Sequence, residues 1–128
     1  MNLQQIIDEA NNLADDFLTN EEVTGFVNDA IAIINIETKA NFPFLEDEND
    51  EPAFPEKWQR ALIIPFVKGR IKEKDSSQFE WEVAYDQFYV NLDHFKTDYP
   101  IPEEYKDEEA RSLYGTELNN VPYIWGGW

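Results

Sequence analysis

Apolar residues recur at Leu3, Ile6, Ile7, Ala10, Leu13, Ala14 and Phe17, with Asp8, Glu9, Asn12, Asp15 and Asp16 between them. This i, i+3, i+4, i+7 spacing marks one face of an amphipathic helix. Thr19 and Glu22 then form a T-x-x-E capping signal for a second helix, whose stripe runs Val23, Phe26, Val27, Ala30, Ile31 and Ile34. The run from Ala30 to Ile36 is apolar on more than one side, which predicts a helix that is central or covered by a neighbouring subunit. Residues 41–54 carry prolines, consecutive acids and no period, and read as a loop long enough to be functional or disordered.

Pro55 suits the first turn of a third helix over residues 56–75. Pro65 and Gly69 lie inside it, and an interior proline removes a backbone hydrogen bond, so a kink or break is expected just before Pro65. Ser77 and Glu80 give an S-x-x-E signal for a fourth helix, with Trp81, Tyr85, Phe88, Leu92 and Phe95 on one face and a stop before Tyr99-Pro100. Beyond it lie Pro100, Pro102 and Pro122, with Gly115, Gly126 and Gly127 and at most a short helix over residues 103–114. The pattern predicts an all-α fold: a small four-helix domain over residues 1–98, five-helix if that short helix forms, followed by an extended C-terminal arm over residues 99–128.

Composition narrows the partners. With 128 residues and no cysteine, one domain is expected to bury its own core without disulfides. The start has no basic region leading into a continuous apolar run, and no stretch is long enough to span a bilayer, so a soluble intracellular protein is expected. A formal charge of −17 argues against binding a phosphate backbone or an anionic membrane surface. The basic residues concentrate at Lys57, Arg60, Lys68, Arg70, Lys72 and Lys74. That asymmetry suits a head-to-tail assembly, and it equally suits solvated helix charges or internal ion pairs.

Candidate chemistry changes the picture little. Asp47, Asn49 and Glu51 alternate as a calcium loop begins, but Pro52 stands where glycine is needed and Trp58 where a bidentate glutamate is needed. The single histidine, His94, rules out histidine-rich metal sites and is expected on the polar face of the fourth helix. No cysteine, serine–histidine neighbourhood or phosphate loop supports covalent or nucleotide chemistry. Paired carboxylates carry no weight in a chain with 27 acids. The expectation is a protein that is not an enzyme and has no cofactor or metal. The aromatics of the fourth helix alternate with Glu80, Glu82, Asp86 and Asp93, which favours core or subunit interface over a base-stacking platform.

The chain ends in an uncharged aromatic peptide, Val121, Pro122, Tyr123, Ile124, Trp125, Gly126, Gly127 and Trp128. Such residues bury on the order of 1.5–3 kcal/mol each, and Trp and Tyr are enriched at binding hot spots. A docking arm is the favoured reading, and folding back onto the helices is the alternative.

The helix order, the third-helix stretch from Trp58 to Asp75, Phe88, Leu92 and Phe95 on the fourth helix, and the terminal Val121–Trp128 together resemble the head-to-tail connector, or adaptor, proteins of tailed bacteriophages. The resemblance covers most of the chain. It implies a structural protein of the virion neck, assembled in the host cytoplasm as a ring, usually of twelve copies, between the portal and the stopper or tail completion protein. On this view Val121, Pro122, Tyr123, Ile124, Trp125 and Trp128 grip the portal. Glu46, Asp47, Glu48, Asp50 and Glu51 lie where such proteins carry a variable loop, and an acidic wall would let DNA pass without binding. Reversing the charge of Asp47, Glu48 and Asp50 should then leave folding intact. Two competing readings are an acidic DNA mimic that inhibits a nucleic-acid-binding enzyme and a regulatory helical domain whose tail is a peptide ligand.

Overall fold

In the computed structural model, residues 1–107 are described. The elements are α1 (Leu3–Leu13), α2 (Asn20–Thr38), α3 (Glu56–Trp58), a π-helical stretch (Gln59–Ile63), α4 (Ile64–Lys74), α5 (Gln78–Asp98) and a 3₁₀ turn (Glu103–Tyr105). Because α3, the π stretch and α4 follow without a gap, they form one third helix, and the all-α, four-helix expectation holds. The portal-binding candidates Val121, Pro122, Tyr123, Ile124, Trp125 and Trp128 lie outside the described residues.

The first helix ends earlier than its stripe implied. Ala14 is extended (φ −89°, ψ 149°), and Asp15 and Asp16 would stand unfavourably at the negative end of the helix dipole. Asn11 completes the exit: its Oδ1 accepts from the Leu18 N–H at 2.8 Å, drawing Leu18 into the core. Phe17, expected on the buried face, is instead 78% exposed. Lys72 of α4 donates to the Leu13 carbonyl at 3.1 Å, which satisfies one of the open acceptors at that helix end.

The second helix starts as its signal predicts. The Thr19 hydroxyl accepts from the Glu22 N–H at 3.1 Å, and the Glu22 carboxylate accepts from the Thr19 N–H at 3.1 Å. Two asparagines one heptad apart on α2 then hold the following loop. Asn28 bonds both the N–H and the carbonyl of Leu45 (2.8 and 3.0 Å), and Asn35 does the same for Phe42 (2.9 and 3.1 Å). Each side-chain amide acts as a neighbouring strand would, pairing backbone that would otherwise be buried unsatisfied. The loop expected to be functional or disordered is therefore part of the core, with Phe42, Leu45 and Phe54 buried.

No break occurs before Pro65. The helix widens into its π stretch over Gln59–Ile63 and continues, the response expected where an interior proline disturbs the ladder. Contacts between Arg70 and Tyr85, Phe66 and Phe88, and Trp58 and Phe95 show α4 and α5 antiparallel. The Ser77 signal starts α5 without forming the expected box: the Ser77 hydroxyl donates to the Glu80 carboxylate at 2.6 Å and caps no backbone N–H.

Residues 99–107 do not begin an arm, as was expected of them. Tyr99 stacks on Phe95 with ring centres 4.8 Å apart, Tyr105 meets Phe42 at 5.2 Å, and Ala40 pairs with Lys106 in an isolated antiparallel bridge. The aromatic demand of Phe42, Phe54 and Phe95 for partners at this end of the bundle draws the chain back across it, and the body extends at least to Asp107.

Candidate functional site

The acidic loop is docked against the start of α1. The Glu48 and Asp50 carbonyls accept from the Gln4 and Leu3 N–H groups at 3.0 and 2.8 Å, supplying partners that a helix N-terminus lacks. The Asp50 carboxylate turns inward to its own loop, accepting from the Glu46 and Asp47 N–H groups at 3.0 and 2.9 Å, and these bonds hold it below the usual carboxylate range. Glu51 accepts from the Met1 amino group at 2.9 Å and is lowered chiefly by that bond.

That amino group sits in a built cradle. It donates to Glu51, to Glu56 at 3.3 Å and to the Oε1 of buried Gln59 at 2.8 Å. Gln59 in turn donates to the Phe54 and Pro52 carbonyls at 2.8 and 3.3 Å. Desolvation works against the charged amine, but the Glu51 and Glu56 carboxylates overcome it and raise its pKa.

Two of the five loop candidates, Asp50 and Glu51, are thus structural. The other three, Glu46, Asp47 and Glu48, stand exposed on the rim of an open cleft of about 450 Å³, with Leu3, Ile7, Asn20 and Thr24 as its remaining walls. Tolerance of Asp50 to charge reversal, expected from the sequence, does not fit its two backbone bonds.

The basic stretch is mostly engaged within the chain. Arg60 reaches Glu9 at 3.5 Å, Arg70 reaches Glu73 at 3.2 Å and Asp29 at 3.8 Å, Lys72 lies 3.8 Å from Glu80, and Lys74 pairs with Glu22. Lys57 lies over the Trp58 ring at 5.1 Å. Of the two readings of the charge asymmetry, internal pairing is the one the geometry supports.

The surface feature that sequence reasoning missed is the outer face of α5. Its inner side buries Ala84, Phe88, Leu92 and Phe95, while Phe79, Val83 and Val90 are 69%, 54% and 52% exposed. At 100° per residue these three fall within about 40° of one another. Counting apolar positions on both sides of the helix would have found them. Beside this stripe, between α4 and α5, lies a groove of about 280 Å³ floored by Ile64, Pro65, Val83 and Ala84 and edged by Arg60 and Lys68.

Among the described residues the carboxylates with shifted pKa values, Glu22, Asp50, Glu51 and Glu80, are all lowered, by Lys74, by backbone N–H groups, by the Met1 amine and by the Ser77 hydroxyl respectively. Each is stabilised as the anion. His94 is exposed on α5, and no helix among the described residues is long and apolar enough to cross a membrane. Comparison of the chain with protein-family models, with curated proteins and with solved structures finds no match.

Proposed function

We propose that this chain is a structural component of a phage head-to-tail connector. Copies form an adaptor ring between a portal and a stopper or tail completion protein, in the virion neck, and DNA passes through without specific binding. In this reading Val121, Pro122, Tyr123, Ile124, Trp125 and Trp128 grip the portal, and Glu46, Asp47 and Glu48 are the loop acids available to face the passage. The protein performs no catalysis and holds no cofactor.

One observation carries the assembly part of this reading: the uncovered apolar stripe of Phe79, Val83 and Val90 on a chain of charge −17. Exposed apolar residues that line up mark interaction surfaces. A DNA mimic accounts for the charge but gives no use to the α5 stripe.

Deleting Tyr123 to Trp128 tests the arm. The apolar stripes of the four helices are complete in sequence without those residues, so the protein's thermal melt should not change. Binding to the cognate portal should weaken by about 2 kcal/mol or more per arm. A truncated protein that binds portal as the full chain does would remove the arm from the reading.

A further inference from the structure

We infer that the outer face of α5 is a docking seam for a basic helix of another protein, one that sets a lysine or arginine opposite Asp86 and Asp93. This deepens the connector reading, on which the seam's place in the neck rests: it joins a copy to a different component, not to the next copy.

Phe79, Val83, Asp86, Val90 and Asp93 follow one another at steps of four, three, four and three residues. At 100° per residue they fall within about 80° of one another, while Ala84, Phe88, Leu92 and Phe95 take the opposite, buried side. Alternating steps of three and four are the spacing with which one helix meets another along a seam. From Phe79 to Asp93 the seam runs about 21 Å at the α-helical rise. Tyr89 stands beside it. Phe79, Val83, Tyr89 and Val90 are four of the seven exposed large apolar side chains among the described residues, and the other three, Phe17, Ile36 and Phe44, lie on other segments.

The acids decide the occupant. Asp86 stands in the middle of the apolar stripe and Asp93 continues it, with Glu82 on one flank; all three are exposed, and none forms an ion pair among the described residues. Glu82 accepts from the Gln78 side chain at 3.1 Å. A purely apolar surface laid over this stripe strips the water from Asp86 and returns nothing. A cation at that point restores the interaction, and arginine does so with two parallel N–H bonds. A second copy is a poor source of that cation. Arg60, Arg70, Lys72, Lys74, Lys96 and Lys106 each face a carboxylate of their own chain. Residues 108–128 hold one base, Arg111, against Glu108, Glu109 and Glu117. Arg60 and Lys68 edge the groove on the far side of Val83, so the demand for positive charge is confined to the side of Glu82, Asp86 and Asp93.

The test uses the full chain and two synthetic helical peptides of about three heptads, with leucine at the seam positions and either arginine or glutamate opposite Asp86 and Asp93. Isothermal titration calorimetry should find the arginine peptide bound, and the glutamate peptide bound more weakly by about 30-fold or more. The variant Asp86→Lys with Asp93→Lys should exchange the preference between the peptides. Glu46→Lys with Glu48→Lys, the same charge change on the acidic loop, should leave the preference as it is. Val83→Ser with Val90→Ser should weaken the arginine peptide by about 10-fold or more. Circular dichroism melts check that the variants fold, and the comparison of the two peptides on the unaltered chain stands without them. No binding of the arginine peptide, equal binding of the two peptides, an equal effect of the loop variant, or self-association of the unaltered chain that Val83→Ser with Val90→Ser abolishes would each overturn the seam. A chain that fails these tests but rings a portal leaves the connector reading standing without the seam. One that passes them and forms no ring on a portal keeps the seam and loses the connector reading.

Discussion

Asn91 on α5 donates its side-chain N–H to the main-chain carbonyl of Ala61, 2.8 Å away. Ala61 stands four residues before Pro65, which has no N–H to give, so the amide of one helix fills the place of a bond missing from the next. The proline therefore serves as a register mark between the third and fourth helices.

Asn91→Leu should destabilise the fold by about 1–3 kcal/mol, since it removes the donor to a part-buried carbonyl. In a Pro65→Ala background the cost should shrink, because the backbone regains its own donor. Urea denaturation of the four proteins in the cycle measures the coupling, and equal costs in both backgrounds would show that the two residues are independent.

Gly25 and Gly69, the helical glycines among the described residues, should respond in opposite directions. Gly69→Ala drives a methyl into the Tyr85 ring and should cost about 1–3 kcal/mol. Gly25→Ala fills open space on a helix and should stabilise an isolated copy by about 0.5–1 kcal/mol. Thermal melts at low protein concentration separate the two.

Stability should fall at both ends of the pH scale through the Met1–Glu51 pair. The amine is raised above its ordinary 8.0, so its contribution is complete below that value and is lost as pH rises through the folded-state pKa. Glu51 is lowered below its ordinary 4.5, so its contribution is complete above that value and is lost as pH falls. Glu51→Gln should flatten both limbs of a plot of melting temperature against pH. Unchanged limbs would place the pH dependence elsewhere.

Charge reversal should divide the acidic loop. Glu48→Lys leaves the main-chain bond to Gln4 in place and should hardly change the melting temperature. Asp50→Lys removes the acceptor of two backbone N–H groups and should lower it clearly. Equal melts for both variants would contradict the structural role given to Asp50.

The parts of this fold that were legible in the sequence are those governed by local chemistry. Thr19 and Glu22 sit within one turn, and the stripe from Val23 to Ile34 repeats at the helical period, so cap and core face could be read directly. What was hidden depends on residues distant in sequence. Asn28 and Asn35 look like ordinary polar positions of α2 until their distances to Leu45 and Phe42 reveal them as the clamps of a buried loop. Phe17 was misread because Asn11 pulls its neighbour Leu18 inward instead. Tyr99 and Tyr105 followed prolines that suggested an arm, but stacking on Phe95 and Phe42 holds them to the body. The loop acids looked equivalent by composition, and only the Met1 amine and the loop N–H groups distinguish Glu51 and Asp50 from Glu46, Asp47 and Glu48.

The central claim is that copies of this chain assemble as a ring on a portal. Electron microscopy of the full chain mixed with a phage portal ring tests this most directly. The account predicts a ring of copies coaxial with the portal, joined to it through density for Val121–Trp128. Portal particles that carry no such ring, with the protein remaining monomeric in the same mixture, would contradict it.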